Sequence, residues 1–220
     1  MARPRIEALL VDFFGTLARL DDEGAYLAEV ASGLSKALNV GEDKALDIFV
    51  KARRLANSIR EAALVEIPVE GQAALIAAMA GGDWRATRDV LVNAMMRHLV
   101  PLDGAVDFLR WASQHFKVAI ISNITCKCFI ENFIKNNKIN INNIITSDVI
   151  RYRKPHKLIF KMALRSLRAT PANTVMIGDD DVDLGARALG ILTIIVGDRV
   201  AGDLNFKGLE EVRGWLSQFI

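Results

Sequence analysis

The sequence predicts an α/β fold in which a doubly wound parallel sheet carries an inserted all-helical cap domain. Short apolar runs rich in valine and isoleucine recur along the 220 residues, and stretches with helical periodicity separate them. Continuous apolar character, rather than alternation, is what a strand covered on both faces requires. The third observation is the segment from residue 18 to residue 98, which has a helical pattern throughout and predicts the cap.

Five apolar runs are the predicted strands, at residues 6–11, 117–122, 141–146, 174–178 and 191–196. The helical patterns between and after them lie at about 103–115, 125–136, 157–168, 182–189 and 208–219. Such alternation indicates parallel strands joined by right-handed crossovers. These elements define a predicted core domain made of residues 1–17 and 99–220.

The predicted cap domain comprises residues 18–98, in which no run is convincing as a strand. Arg53, Arg54 and Arg60 lie on its second helical pattern. They could bind a substrate anion, but such residues more often form a solvated helix face. The extended turn around Glu66 separates two cap helices. We hypothesise that this turn lies near the site and influences specificity.

Composition limits the possible partners. The net charge is only +2 and no cluster of lysine and arginine is long enough for a nucleic-acid groove. No apolar run approaches a membrane span, and the N-terminus does not resemble a signal peptide. Cys126 and Cys128 are too close for a usual zinc knuckle and are expected to be reduced thiols. We therefore expect a cytoplasmic protein with a small-molecule substrate, and no nucleic-acid or membrane partner.

Polar side chains stand where the predicted strands end. Asp12 follows the first strand, Ser122 and Asn123 end the second, and Asp179 begins an acidic cluster after the fourth. Lys154 precedes a helix between them. Because ligands of doubly wound sheets bind at the carboxyl ends of the strands, we expect these residues to converge on one rim.

This set of groups suits phosphoryl transfer through a covalent intermediate. A carboxylate such as that of Asp12 can attack phosphorus and hold the aspartyl phosphate. An acidic cluster can bind Mg²⁺, which prefers a few carboxylates together with phosphate oxygens and water. Lys154 and the hydroxyls of Thr16 and Ser122 can stabilise charge on the transferring group.

The sequence resembles the haloacid dehalogenase superfamily, with four motifs in the family's order. They are Asp12-x-Phe14-Gly15-Thr16, Ser122-Asn123, Lys154-Pro155 and Gly178-Asp179-x-x-x-Asp183. The resemblance implies a Rossmann-like core with the smaller, helical C1 type of cap, and Asp12 as the nucleophile. It further implies that Thr16, Ser122, Asn123 and Lys154 hold the transferring group. The implied magnesium ligands are Asp12, Asp179, Asp183 and the backbone carbonyl of Phe14.

Phe14 departs from the pattern of the family's phosphatases. These usually carry a second aspartate at this position, which protonates the leaving group and activates water. A backbone carbonyl can serve the metal whatever the side chain, so the metal site can survive the substitution. General acid–base help typically contributes about 10²–10⁴-fold in rate, so a phosphatase with Phe14 should be slow or favour leaving groups that need no proton.

Three alternatives to a magnesium-dependent phosphatase stay open. The 2-haloacid dehalogenases have an aromatic residue at the position of Phe14, but they use Ser/Asn-type residues at the fourth motif and an early cap arginine. Phosphonoacetaldehyde hydrolases need a cap lysine, for which Lys51 is the candidate. A non-catalytic relative would bind phosphate or a partner. The acidic fourth motif favours the phosphatase, because packed carboxylates repel one another unless a cation offsets them.

Overall fold

The protein, described here by a computed structural model over residues 5–220, has two sheets and nine α-helices in that range. The strands are β1 (Ala8–Val11), β2 (Ala18–Leu20), β3 (Leu99–Pro101), β4 (Lys117–Ser122), β5 (Asn143–Thr146), β6 (Thr174–Gly178), β7 (Leu192–Val196) and β8 (Leu204–Phe206). The helices are α1 (Glu23–Leu38), α2 (Glu42–Ala63), α3 (Val69–Ala80), α4 (Trp84–His98), α5 (Ala105–His115), α6 (Cys128–Asn136), α7 (Ser147–Ile150), α8 (Lys157–Leu167) and α9 (Leu209–Leu216). Residues 1–4 of the predicted core domain lie outside this range.

The main sheet has six parallel strands in the order β5-β4-β1-β6-β7-β8. At the centre of the sheet, Val11 of β1 is paired with Ile120 of β4 on one side and with Ile177 of β6 on the other. The carboxyl ends of β1, β4 and β6 are therefore neighbours at one edge of the sheet. The predicted α/β class with a parallel sheet is confirmed.

Both faces of β1 are buried, which explains its uninterrupted apolar sequence. Leu9 and Val11 belong to the core cluster that includes residues of α5, α6 and α9. Ala8 and Leu10 belong to the cluster on the opposite face, which includes residues of α8. The segment predicted as a helix at 182–189 forms a 3₁₀-helix, Asp181–Leu189.

Three short strands were not expected from the sequence. β2 pairs antiparallel with β3, so the prediction of a helical pattern from residue 18 onwards is wrong for Ala18–Leu20. β8 adds a sixth strand beside β7. Each has only three residues, and three residues are too few to show a period.

Helices α1–α4 pack around an apolar core of their own, with Val30, Phe49 and Ile76 at its centre. Phe129 of α6 belongs to the same cluster, so this helical layer rests on the rest of the molecule. The division of the chain into a core domain and a cap domain with boundaries at 17/18 and 98/99 stays a prediction.

Cys126 and Cys128 are joined in a disulfide, so the expectation of two reduced thiols is wrong. The loop before α6 brings their Cα atoms to 5.1 Å, a separation that a disulfide can bridge. The cysteines therefore give no support to the expected cytoplasmic location. None of the helices within residues 5–220 is both long and apolar enough to cross a membrane.

Candidate active site

The carboxyl ends of the central strands bring three buried carboxylates together. Asp12 follows β1, and its backbone N–H donates to the Ile177 carbonyl at 2.8 Å. Asp179 follows β6, and Asp183 lies one turn further on. Each of the three offers a carboxylate oxygen, and these oxygens all lie within 4.8 Å of one another. Ser122, at the end of β4, is buried at the same edge of the sheet.

Lys154 is the buried cation of this cluster. Its Nζ donates to the carboxylate of Asp12, to Oδ1 of Asp183 at 2.6 Å and to the Ile121 carbonyl at 3.3 Å. The Asn123 amide exchanges two hydrogen bonds with the Lys154 backbone, at 2.9 and 2.7 Å. Asn123 therefore fixes the backbone from which the Lys154 side chain reaches the carboxylates.

The loop after β1 approaches Asp179 so closely that one position requires glycine. Thr16 Oγ1 donates to Asp179 Oδ1 at 3.0 Å. At Gly15 φ is +98°, and a Cβ there would lie 2.4 Å from Asp179 Oδ2. Glycine is therefore favoured at position 15 for two reasons: the backbone has a positive φ, and there is no room for a Cβ atom.

Asp183 has two roles, one for each carboxylate oxygen. Oδ1 accepts from Lys154, while Oδ2 accepts from the backbone N–H groups of Asp179 and Asp180 at 3.2 and 3.3 Å. A Cβ at Gly178 would lie 2.0 Å from Oδ2, so glycine is needed there as well. Asp183 therefore holds the loop that carries Asp179, and Asp180 caps the 3₁₀-helix that follows.

Burial changes the protonation of these groups. It raises the pKa of the Asp12 carboxyl to about 7, although the Lys154 ammonium acts in the opposite direction. Burial also raises the pKa of Asp179, against the hydrogen bond from Thr16. Burial lowers the pKa of Lys154, but Asp12 and Asp183 outweigh it, so that pKa lies above its ordinary value.

The donor set fits a divalent cation. Lys154 pairs with Asp12 and Asp183, and the other cation paired with this cluster within residues 5–220 is the exposed Arg199, at 3.6 Å from Asp179. A small group of carboxylates with room for water and phosphate oxygens is the environment that Mg²⁺ prefers. Such an ion would offset the repulsion between the carboxylates, which adds to the effect of burial on the pKa values of Asp12 and Asp179.

A cavity of about 210 Å³ lies between the helical layer and this rim. The residues used below line it from both sides: Phe14, Asn123 and Arg153 from the main-sheet side, and Tyr26, Arg53 and Arg60 from the helices. The Phe14 side chain is 44% exposed and forms part of the wall. The cavity therefore begins beside the residue that replaces the second aspartate.

Helix α2 presents a polar face to this cavity, where the sequence favoured a solvated face. Arg53, Asn57 and Arg60 line it together with Phe49, and this spacing of four, four and three residues places them on one side of a helix. The interpretation of Arg60 as part of a solvated face is wrong, because the residue is only 7% exposed. The helical spacing of these residues from the apolar Phe49 could have indicated that they face the interior of the molecule.

Glu66 lies behind the cavity wall and does not line it. Its Oε1 accepts from Arg60 Nε at 2.7 Å, and its Oε2 accepts from Ser147 Oγ at 2.6 Å and from Arg153. The surrounding turn is extended, since Val65 bridges to Tyr152. Glu66 therefore orients two arginines of the cavity, and any effect on specificity would pass through them.

Lys51 does not lie in the cavity wall. Its ammonium pairs with Asp47 at 2.7 Å, one helical turn away on the exposed side of α2. Among the residues that the structure describes, no lysine lines this cavity. The cap lysine that a phosphonoacetaldehyde hydrolase would need is therefore not supplied by Lys51.

Residues 6–189 match the family model of the haloacid dehalogenase-like hydrolases. The fold and the rim of acidic residues thus define a hydrolase, and the chain belongs to the haloacid dehalogenase-like hydrolase family. This confirms the resemblance found in the sequence. No curated protein matches the sequence significantly.

The solved structures similar to this protein include a phosphatase and several dehalogenases. A HAD phosphatase from Thermococcus onnurineus superposes with a TM-score of 0.71 at 20% identity, covering 96% of this chain and 98% of the other. An L-2-haloacid dehalogenase from Xanthobacter autotrophicus, with chloropropionic acid covalently bound, gives 0.69 at 17% identity, covering 98% and 100%. A magnesium-bound HAD-hydrolase from Bacillus subtilis gives 0.67 at 18% identity, covering 96% and 99%. These likenesses establish the fold.

Proposed function

We propose that the protein is a magnesium-dependent phosphohydrolase that acts on a small phosphorylated metabolite through an aspartyl phosphate on Asp12. The meeting of Asp12, Asp179 and Asp183 around Lys154 carries this proposal. A dehalogenase needs the nucleophile but no metal ion, and the dehalogenases of the family have Ser/Asn-type residues where this chain has Asp179. Burying a third carboxylate is costly unless a metal ion uses it.

The proposed roles follow from the positions of the groups. The Asp12 carboxylate attacks phosphorus, and the bond to the leaving oxygen breaks. Lys154, Thr16, Ser122 and Asn123 are the proposed phosphate-binding residues, and Lys154 neutralises charge on the transferring group.

The ligands proposed for Mg²⁺ are Asp12, Asp179, Asp183 and the Phe14 carbonyl. Asp183 can serve the ion only through an oxygen that it now shares with Lys154 or with the backbone. When bound, Mg²⁺ supplies positive charge to the phosphoryl oxygens.

Phe14 favours a second candidate, a 2-haloacid dehalogenase. Its phenyl ring cannot protonate a leaving group, and a halide leaves without a proton. In that reaction Asp12 would displace the halide and form an ester, with Lys154 as the neighbouring cation. The two candidates share a nucleophile but differ in their need for Asp179 and for a metal ion.

The test compares the two reactions on the same protein preparation. Wild type, Asp12→Asn and Asp179→Asn are assayed with p-nitrophenyl phosphate plus Mg²⁺, and with L-2-chloropropionate plus chloride detection. We expect phosphate release that needs Asp12, Asp179 and Mg²⁺. Chloride release that persists in Asp179→Asn and in a chelator, without phosphate release, would instead support the dehalogenase.

A further inference from the structure

The cavity beside Asp12 contains more positive charge than the surrounding carboxylates neutralise. Arg53, Arg60 and Arg153 line it, and no aspartate or glutamate within residues 5–220 does. Glu66 is the shared partner of Arg60 and Arg153, so one carboxylate faces two guanidinium groups. Arg53 has neither an ion pair nor a hydrogen bond with any residue of that range.

We propose that this cavity binds a second anionic group, a carboxylate on the leaving group of the phosphate ester, and that Arg53 contacts it. This inference rests on the phosphohydrolase function proposed above. A guanidinium fork can donate two parallel hydrogen bonds to a carboxylate. Arg53 is an exposed residue of the cavity wall, so its guanidinium can meet an anion that enters from solvent.

Asn57 and Arg60 complete the donor set next to Arg53. Asn57 Oδ1 accepts from Arg60 Nη1 at 2.8 Å, which fixes the side-chain amide. Its amide nitrogen donates to no described residue and is available to an anion. The Glu66 bond to Arg60 Nε and the Ile67 carbonyl bond at 2.8 Å hold the Arg60 guanidinium against the wall. The fixed Arg60 and Asn57 provide a rigid surround for the unpaired Arg53.

The cavity is lined from two parts of the chain. Phe14 and Asn123 line it from the segments that follow β1 and β4, whereas Arg53 lines it from α2. A substrate that places its phosphate at Asp12 would therefore extend its leaving group towards Arg53. Tyr26 and Phe49 supply an apolar wall suited to the carbon atoms between the two anionic groups.

The cavity volume restricts the size of the leaving group. About 210 Å³ lies below the range of about 300–1,000 Å³ that is usual for pockets of drug-sized ligands. A chain of a few carbon atoms would fit this space. The predicted substrate class is the phosphate ester of a short hydroxy acid.

The test measures binding without turnover, using Asp12→Asn protein with Mg²⁺ in a calorimeter. The ligands are 3-phosphoglycerate and glycerol 3-phosphate, which share a three-carbon skeleton and differ by a carboxylate in place of CH₂OH. We expect 3-phosphoglycerate to bind about tenfold more tightly or better. Adding Arg53→Gln should bring the ratio close to one, while the control Arg54→Gln, outside the cavity, should preserve it.

Equal affinities for the two ligands, or a ratio that Arg53→Gln leaves unchanged, would overturn the inference. Because the Arg53 side chain holds no hydrogen bond, the variant should fold, and an unchanged melting temperature would verify this. Wild-type turnover of p-nitrophenyl phosphate tests the phosphohydrolase function separately. If the preference for 3-phosphoglycerate depended on Arg53 but wild type did not turn over p-nitrophenyl phosphate, the result would count against the phosphohydrolase function and still support the anion subsite.

Discussion

At the scale of single residues, Phe14 sets the chemical limit of the site. Its side chain is partly exposed in the cavity wall and contributes little to the core, so the position can change without loss of folding. The neighbouring Gly15 has no such freedom, because any side chain there would collide with Asp179. Two adjacent positions thus differ sharply in what they tolerate.

Replacing Phe14 by aspartate should restore the missing proton donor. We expect Phe14→Asp to accelerate hydrolysis of alkyl phosphates, by up to about 10²–10⁴-fold, because their leaving groups need protonation. Hydrolysis of p-nitrophenyl phosphate, whose leaving group hardly needs a proton, should change much less. The measurement is kcat for both ester types under saturating Mg²⁺.

Phe14→Asn is the matched control, since asparagine has the shape of aspartate without its acid. If Phe14→Asn accelerated alkyl phosphates equally, the gain would come from space in the cavity and the argument about the acid would be wrong.

At the scale of secondary-structure elements, the turn between α2 and α3 makes polar contacts between the helical layer and the rest of the chain. Its backbone pairs with the segment around Tyr152, with the Glu66 N–H donating to the Arg151 carbonyl at 2.7 Å. The fully buried Glu66 carboxylate reaches Ser147 at the start of α7. The helical layer is therefore fixed by specific bonds as well as by apolar packing.

Removal of the Glu66 carboxylate should destabilise the protein strongly. Glu66→Ala leaves the buried Arg60 without its ion partner, and such a loss typically costs about 3–5 kcal/mol in the free energy of unfolding. Urea denaturation of wild type and variant measures it. The control Glu61→Ala, at an exposed position of α2, should stay within about 0.5 kcal/mol. A similar, small effect of both substitutions would contradict a buried ion pair at Glu66.

His98, at the end of α4, links the two ends of the helical segment in a pH-dependent way. Its Nδ1 lies 2.8 Å from Asp21 and its Nε2 lies 3.0 Å from Glu29, and only a doubly protonated ring can donate to both. The hydrogen bond with Asp21, helped by Glu29 and opposed by burial, raises the pKa of His98 above 6.5.

The raised pKa gives the stability contribution of His98 a definite sign. The contribution is fully present below pH 6.5 and is lost as the pH rises through the folded-state pKa. We expect the difference in unfolding free energy between wild type and His98→Gln to shrink as the pH rises above 6.5. Urea titrations at several pH values measure it, and a difference that is constant or grows with pH would contradict the pairing.

At the scale of the whole molecule, magnesium binding should be linked to folding. An ion held by Asp12, Asp179 and Asp183 binds only the folded chain, and at a hundred times its dissociation constant it would add about 2.7 kcal/mol. We expect Mg²⁺ to raise the melting temperature of wild type and to have little effect on Asp179→Asn. Calcium-free buffers with matched ionic strength provide the control. An equal rise in both proteins would place the ion elsewhere.

The parts of the molecule that could be predicted from sequence are those with a long-range pattern. The apolar strands were predicted because burial on both faces requires a run of several apolar residues. The rim was predicted because parallel strands place the polar residues at their carboxyl ends side by side. The cavity could not be predicted, because the sequence does not show which side of α2 faces the main sheet. Arg53 lines the cavity and the adjacent Arg54 does not, although the two residues are chemically identical. Likewise, the destination of the Glu66 carboxylate depends on Ser147, which is distant in sequence.

The antiparallel pair β2–β3 has a consequence for how such a protein can diversify. Leu20 and Leu99 are register partners, so the chain leaves the main body and returns to it at neighbouring positions. The segment between them is therefore inserted at one place in the chain, outside the six-stranded sheet. Evolution could therefore exchange the helical segment as a unit, while Asp12, Asp179 and Asp183 stay in place.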